Sequence, residues 1–133
     1  MIVGGQGIGS EGRLWLFDVK TQKQVWAVQE AGNGAYNAIS FTADGRGVLS
    51  GSNGQEVPGR KGKVPSELRR WDVATGKEVW RAEGDLGWFN AIIASPDGKS
   101  IAACDGGQLM LFDPATGHKQ NVLMKMTRGK ALP

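Results

Sequence analysis

The pattern with the most chemistry in it is Gly7-Ile8-Gly9-Ser10-Glu11-Gly12, which has the G-x-G-x-x-G spacing that cradles a pyrophosphate at a helix N-terminus in dinucleotide-binding folds. The residues that follow, Arg13 to Asp18, read as another strand and not as a helix, so the glycines are expected in a loop between strands, with no nucleotide bound. His118 is the one histidine and Cys104 the one cysteine, which leaves no ligand set for structural zinc and no intramolecular disulfide. No Ser or Cys stands in a nucleophile-elbow context, and the carboxylates recur at turns and strand ends. The chain therefore reads as non-catalytic, with no metal and no cofactor. A cationic group, Arg60, Lys61, Lys63, Arg69 and Arg70, could face phosphates. A net charge of only +3 does not by itself support nucleic-acid binding, which is disfavoured.

What could position such residues is set by length and composition. The 133 residues suffice for one domain or a piece of one, and 21 glycines signal many turns. No apolar run reaches 18 residues and the start lacks a secretory pattern, so a non-membrane, by default cytoplasmic, location is expected. An internal repeat decides the architecture. Tyr36 to Gly45 recurs as Phe89 to Gly98, which brings Asp44 onto Asp97. Phe17-Asp18, Trp71-Asp72 and Phe112-Asp113 align in the same way. The unit is about 41 residues, one copy being lengthened by an insertion.

Within each unit the apolar runs are about five residues long and bounded by Gly, Asp or Pro, which is the length and punctuation of strands. The expected strands are 2–5, 13–18 and 24–28; then 36–41, 47–52, 68–72 and 78–82; then 89–94, 100–104, 108–113 and 120–125. Ser95-Pro96-Asp97-Gly98 and Thr75-Gly76-Lys77 are expected to close tight turns. The chain is all-β, in groups of three, four and four strands.

These residues resemble the WD-repeat β-propellers, in which four-stranded antiparallel blades repeat around a channel. Arg70-Trp71-Asp72 resembles the Trp-Asp dipeptide of that family, and Ser95 to Gly98 its Asp-bearing turn. The family's Gly-His pair is absent, Gly84-Asp85 and Ala31-Gly32 standing there, and Phe17 and Phe112 replace the dipeptide's Trp. Val25-Trp26 and Val79-Trp80 are similar to the quinoprotein-type repeat, in which a Trp docks between neighbouring blades. The resemblance implies an incomplete ring over residues 1–125: a partial blade at 1–28, a full blade at 29–83 with an insertion at 53–66, a full blade at 84–125, and a tail at 126–133. It also implies that Trp26, Trp71 and Trp80 pack the core or the blade junctions, and that Asp44 and Asp97 shape turns. Asn121 stands in the slot of Trp26 and Trp80.

On that resemblance the inserted loop and the loops entering each first strand share one face, gathering Asn33, Glu56, Arg60, Lys61, Lys63 and Trp88. Loops on a rigid scaffold carry binding, and aromatic and Arg residues anchor interfaces. The expected function is a protein-interaction scaffold. Its partners are another protein and either the remaining blades or further copies of itself. The alternative is a segment of a quinoprotein-like propeller, of dehydrogenase or outer-membrane assembly type. Arg70 stands where Leu16 and Leu111 stand in the other units, and is expected either to pair with Glu56 or Glu67 or to reach solvent along its stem.

Overall fold

The computed structural model describes residues 1–8, 11–31, 36–53, 59, 61, 65–84 and 88–126, with 2–8, 11, 30, 31, 37, 83 and 84 described through their backbone. Eleven strands run in order: β1 (Ile2–Ile8), β2 (Glu11–Asp18), β3 (Lys23–Ala31), β4 (Tyr36–Phe41), β5 (Gly47–Ser52), β6 (Ser66–Asp72), β7 (Glu78–Gly84), β8 (Ala91–Ala94), β9 (Ile101–Cys104), β10 (Gln108–Phe112) and β11 (Lys119–Lys125). They form three antiparallel sheets, none closed, ordered β1-β2-β3, β4-β5-β6-β7 and β8-β9-β10-β11. The expected grouping of three, four and four is the one observed. Only β4 and β5 match the expected bounds; the other nine strands differ by one to three residues at one end or both, two of them for visible reasons. β1 runs on to Ile8, because Gly7 pairs with Gly12 and Ile8 with Glu11 across a hairpin. The G-x-G-x-x-G residues thus straddle that hairpin, and no helix follows them. β9 starts at Ile101, not Ser100, because Ser100 closes the preceding turn through its carbonyl, which accepts from Ser95 N–H at 2.8 Å.

Alternation gives each sheet two faces, and consecutive sheets bury facing sides against each other. Leu14 from the first sheet packs with Tyr36, Val48 and Trp71 from the second. Ala38, Leu49 and Leu68 from the second pack with Phe89, Ile92, Ile101, Ala103, Met110 and Phe112 around the third. Each fully buried Leu, Ile, Met or Phe contributes about 1.5–3 kcal/mol, so the two junctions carry most of the hydrophobic stabilisation. The repeat extends to irregularity: the register shifts at Leu16/Phe17, Arg70/Trp71 and Leu111/Phe112, one aligned position in all three sheets.

The repeated Asp turns are built alike. Thr42 Oγ1 donates to Asp44 Oδ1 at 2.6 Å, and Arg46 N–H donates to the same oxygen at 3.0 Å. Ser95 Oγ and Lys99 N–H do the same to Asp97 Oδ1 at 2.6 and 2.9 Å. The hydroxyl first and the amide second hold each carboxyl below the usual aspartate range. The folded state therefore favours the anions. Their stabilisation is present once the unfolded chain's aspartates are ionised and is lost as pH falls through the lowered folded-state values. Thermal melts should show the wild type weakening below about pH 4. A D44N/D97N variant should fall less steeply over that range, because Asn keeps the acceptor and cannot titrate; an unchanged slope would assign the acid loss elsewhere.

Candidate functional site

The sheets meet through a docking contact that recurs. Trp26, on β3, donates its indole N–H to Val73 O at 2.7 Å and lies over Gly76 in the β6–β7 turn. Trp80, on β7, donates to Pro114 O at 2.9 Å and lies over Gly117 in the β10–β11 turn. The receiving turns match. Asp72 Oδ1 accepts from Ala74 and Thr75 N–H, and Asp113 Oδ1 from Ala115 and Thr116 N–H. Gly76 and Gly117 sit at φ 72° and 74°, a left-handed conformation that side chains disfavour. A Cβ at either position would press into the ring above, at 3.0 Å in the first case and 2.4 Å in the second. Glycine thus serves the turn and the tryptophan together.

The first sheet has the same turn with a different residue. Asp18 Oδ1 accepts from Lys20 and Thr21 N–H, yet the glycine slot holds Gln22 at φ 57°. That conformation costs a residue with a Cβ about 1–2 kcal/mol, against about 0.4–1 kcal/mol for the greater unfolded-state freedom of glycine. Q22G should accordingly raise stability by about 0.5–1 kcal/mol, seen as a higher urea midpoint. At the other end Asn121 is exposed and bonds locally, its Oδ1 accepting from Val122 N–H at 2.8 Å.

Arg70 does not pair with Glu67. Its Nη1 donates to Pro114 O at 2.8 Å, the carbonyl that also receives Trp80, while its Nε is buried over Gly47 with no partner among the described residues. Glu56, the other expected partner, lies outside the described residues. Arg70 lines a cleft of about 100 Å³ between the second and third sheets, with Thr42, Asp44, Ala94, Ile101 and Pro114. That volume holds about three waters and no substrate of ordinary size.

Among the described residues the fully buried cation is Arg69, one of the five basic residues expected to face phosphates. It is 1% exposed and donates through Nε to Glu67 Oε2 at 2.8 Å, with Nη2 bonded to the same oxygen. Glu78 Oε1 lies 3.5 Å from Arg69 Nε and 2.9 Å from Arg81 Nε, and the Arg69 guanidinium stands 5.6 Å from the centre of the Trp71 ring. Trp71 in turn donates its indole N–H to Ser50 Oγ at 2.8 Å. Strand alternation could have found this: Glu67, Arg69 and Trp71 are two apart, so a buried Trp71 draws both charges to its own face. With Arg69 enclosed and Arg70 bound to a carbonyl, the five-cation patch does not assemble.

Of the expected binding residues, Lys61 is exposed and Trp88 is 68% exposed beside the fully buried Phe89. Asn33, Glu56, Arg60 and Lys63 lie outside the described residues. Among the described residues no three His, Cys, Asp or Glu side chains gather to hold a metal, and no helix is long and apolar enough to cross a membrane. No protein-family model matches this chain, and no curated protein matches it at a significant level.

Proposed function

We propose that the three sheets are consecutive blades of a WD-repeat-like β-propeller, the first of them partial, and that the chain is a non-catalytic scaffold for a protein partner. The observation that carries the propeller reading, common to both classes, is the junction built twice: indole N–H to Val73 O and to Pro114 O, each ring over a turn glycine; Arg70-Trp71-Asp72 and the Asp-bearing turns favour the WD-repeat class. A scaffold made of repeated rigid junctions leaves its loops free to vary, and a loop face is where partners bind. Trp88 is the anchor on that face, because an exposed tryptophan beside a fixed Phe89 offers large contact area at little entropic cost.

One observation favours a second reading, a segment of a quinoprotein-like propeller: the docked tryptophan between sheets is the feature in which the chain resembles that class.

A photo-crosslinking residue at the exposed position 90, which leaves Trp88 in place, used in extracts of the source cell, separates the two. The scaffold reading expects one protein adduct of defined mass. W88A should weaken the recovered complex by about tenfold or more with the circular dichroism unchanged. Failure of W88A to change binding of the recovered protein would overturn that site. Saturable quenching of tryptophan fluorescence by a soluble quinone would favour the quinoprotein reading.

A further inference from the structure

Arg70 is a departure from the repeat that the docking contact does not need. It stands where Leu16 and Leu111 stand, and the first junction makes the same indole bond, Trp26 to Val73 O, with a fully buried Leu16 in that position. We infer that the cleft between the second and third sheets is a binding site for one small carboxylate, held by Arg70.

A glycine departs together with the arginine. Gly47 and Ser100 are matched positions, each amide donating to the hydroxyl that opens its turn, Thr42 Oγ1 at 2.9 Å and Ser95 Oγ at 3.0 Å. The turn does not require glycine at 47, because the φ there is not left-handed. Space does require it: a Cβ on Gly47 would stand 2.8 Å from Thr42 Cγ2 and 2.9 Å from Arg70 Nε. The missing side chain thus makes room for the guanidinium. Of its nitrogens, Nη1 is bonded to Pro114 O at 2.8 Å and Nε is enclosed without an acceptor. Nη2 has no partner among the described residues and is not enclosed, so it is the donor that a ligand can reach. No carboxylate forms an ion pair with Arg70 among the described residues.

The cleft selects the chemistry of its ligand. A half-enclosed guanidinium favours an anionic acceptor, because a charge-assisted bond is about twice as strong as a neutral one and an unpaired cation is costly to enclose. The other walls, Ala43, Ala94, Gly98, Ile101 and Pro114, offer mainly alkyl contact. A carboxylate suits both, with its oxygens on Nη2 and its carbon end on the walls. Phosphate and sulfate are polar all round and would leave oxygens without donors against Ala94 and Ile101. The volume of about 100 Å³ matches a free carboxylate of one or two carbons, or the carboxyl end of one acidic side chain. Asp44 also lines the cleft, but it is exposed and its Oδ1 accepts from Thr42 and Arg46, so solvent screens its charge from the ligand. The β4–β5 and β8–β9 turns border this site, at the opposite end of β8 from Trp88. It is therefore separate from the partner face proposed above.

Proton–nitrogen NMR of the full chain reads the site through Trp80, whose indole N–H shares Pro114 O with Arg70. Trp26, bonded to Val73 O beside Leu16, is the internal control. At constant ionic strength acetate should shift the Trp80 indole signal saturably, half-maximal at about 1–10 mM, and leave that of Trp26 in place. Acetamide, which has the same shape without the charge, should give no saturable shift. R70L installs the residue that the other two sheets carry, so it should keep the spectrum of the folded chain and abolish the response. A43L tests the space with Arg70 intact. Ala43 is exposed, and its Cβ lies 3.9 Å from where a Cβ on Gly98 would stand across the cleft, so the larger side chain should weaken acetate by about tenfold or more. The N-acetylated tripeptide amide Gly-Asp-Gly, titrated beside acetate, distinguishes a partner's side chain from a free acid by which of them binds more tightly. No saturable shift, an equal shift at Trp26, an equal response to acetamide, or a response that survives both R70L and A43L would each overturn the inference.

Discussion

W71A is expected to lose about 3–5 kcal/mol of stability, the cost of deleting a large buried aromatic side chain. Trp71 is 2% exposed and packs with Leu14, Tyr36 and Val48 at the first junction. Its removal also strands Ser50, fully buried and bonded to the indole, and uncovers the Arg69 guanidinium. Domains of ordinary stability hold about 5–15 kcal/mol, so urea unfolding should start near zero denaturant or show no cooperative transition. The third sheet indicates which substitution the site tolerates. There Phe112 aligns with Trp71 and Ala103 with Ser50, and both are fully buried. A phenyl ring has no N–H to satisfy, and an alanine has no acceptor to offer one. W71F and S50A should therefore each cost about 1–2 kcal/mol by leaving one polar group unmatched, whereas the double variant should cost less than the sum. Strict additivity in that cycle would show that the bond does not couple the two residues.

The repeat made the number and order of the strands legible, and their bounds where turn chemistry and alternation agree. Tyr36–Phe41 and Gly47–Ser52 fall where Asp44 and Gly45 must turn the chain between them. The tryptophans were legible as junction residues because Trp26 and Trp80 recur at one place in the unit. What recurrence could not show is the partner each ring meets, since Val73 and Pro114 are 47 and 34 residues away and act through their carbonyls, which carry no residue identity. Arg69 was hidden for another reason. Charge suggests exposure, and only a matched carboxylate on the same strand face, Glu67, offsets the cost of burying it. Arg70 drew attention as the residue that breaks the repeat, and its departure is real, but its partner is again a backbone carbonyl. Most of the expected binding face lies in the insertion, where no second copy of the unit exists to compare.

G117A is the second large expected effect, and it tests the docking contact directly. At φ 74° an added Cβ costs about 1–2 kcal/mol whatever surrounds it. Here it would also stand 2.4 Å from Trp80 Cε3 and 2.7 Å from Cζ3, and the ring cannot withdraw without giving up its bond to Pro114 O. Overpacking of this kind adds about 1–3 kcal/mol, for a total of about 2–5 kcal/mol. G76A supplies the internal control. Its φ is 72°, but the Trp26 ring stands 3.0 Å away, so the backbone cost is shared and the steric one is smaller. The difference between the two variants therefore measures how closely each sheet is pressed onto the next. In a W80A background the steric part of G117A should vanish, leaving a penalty close to the backbone strain alone. If G117A costs the same with and without the ring, Trp80 does not rest on that turn, and the junction has another basis.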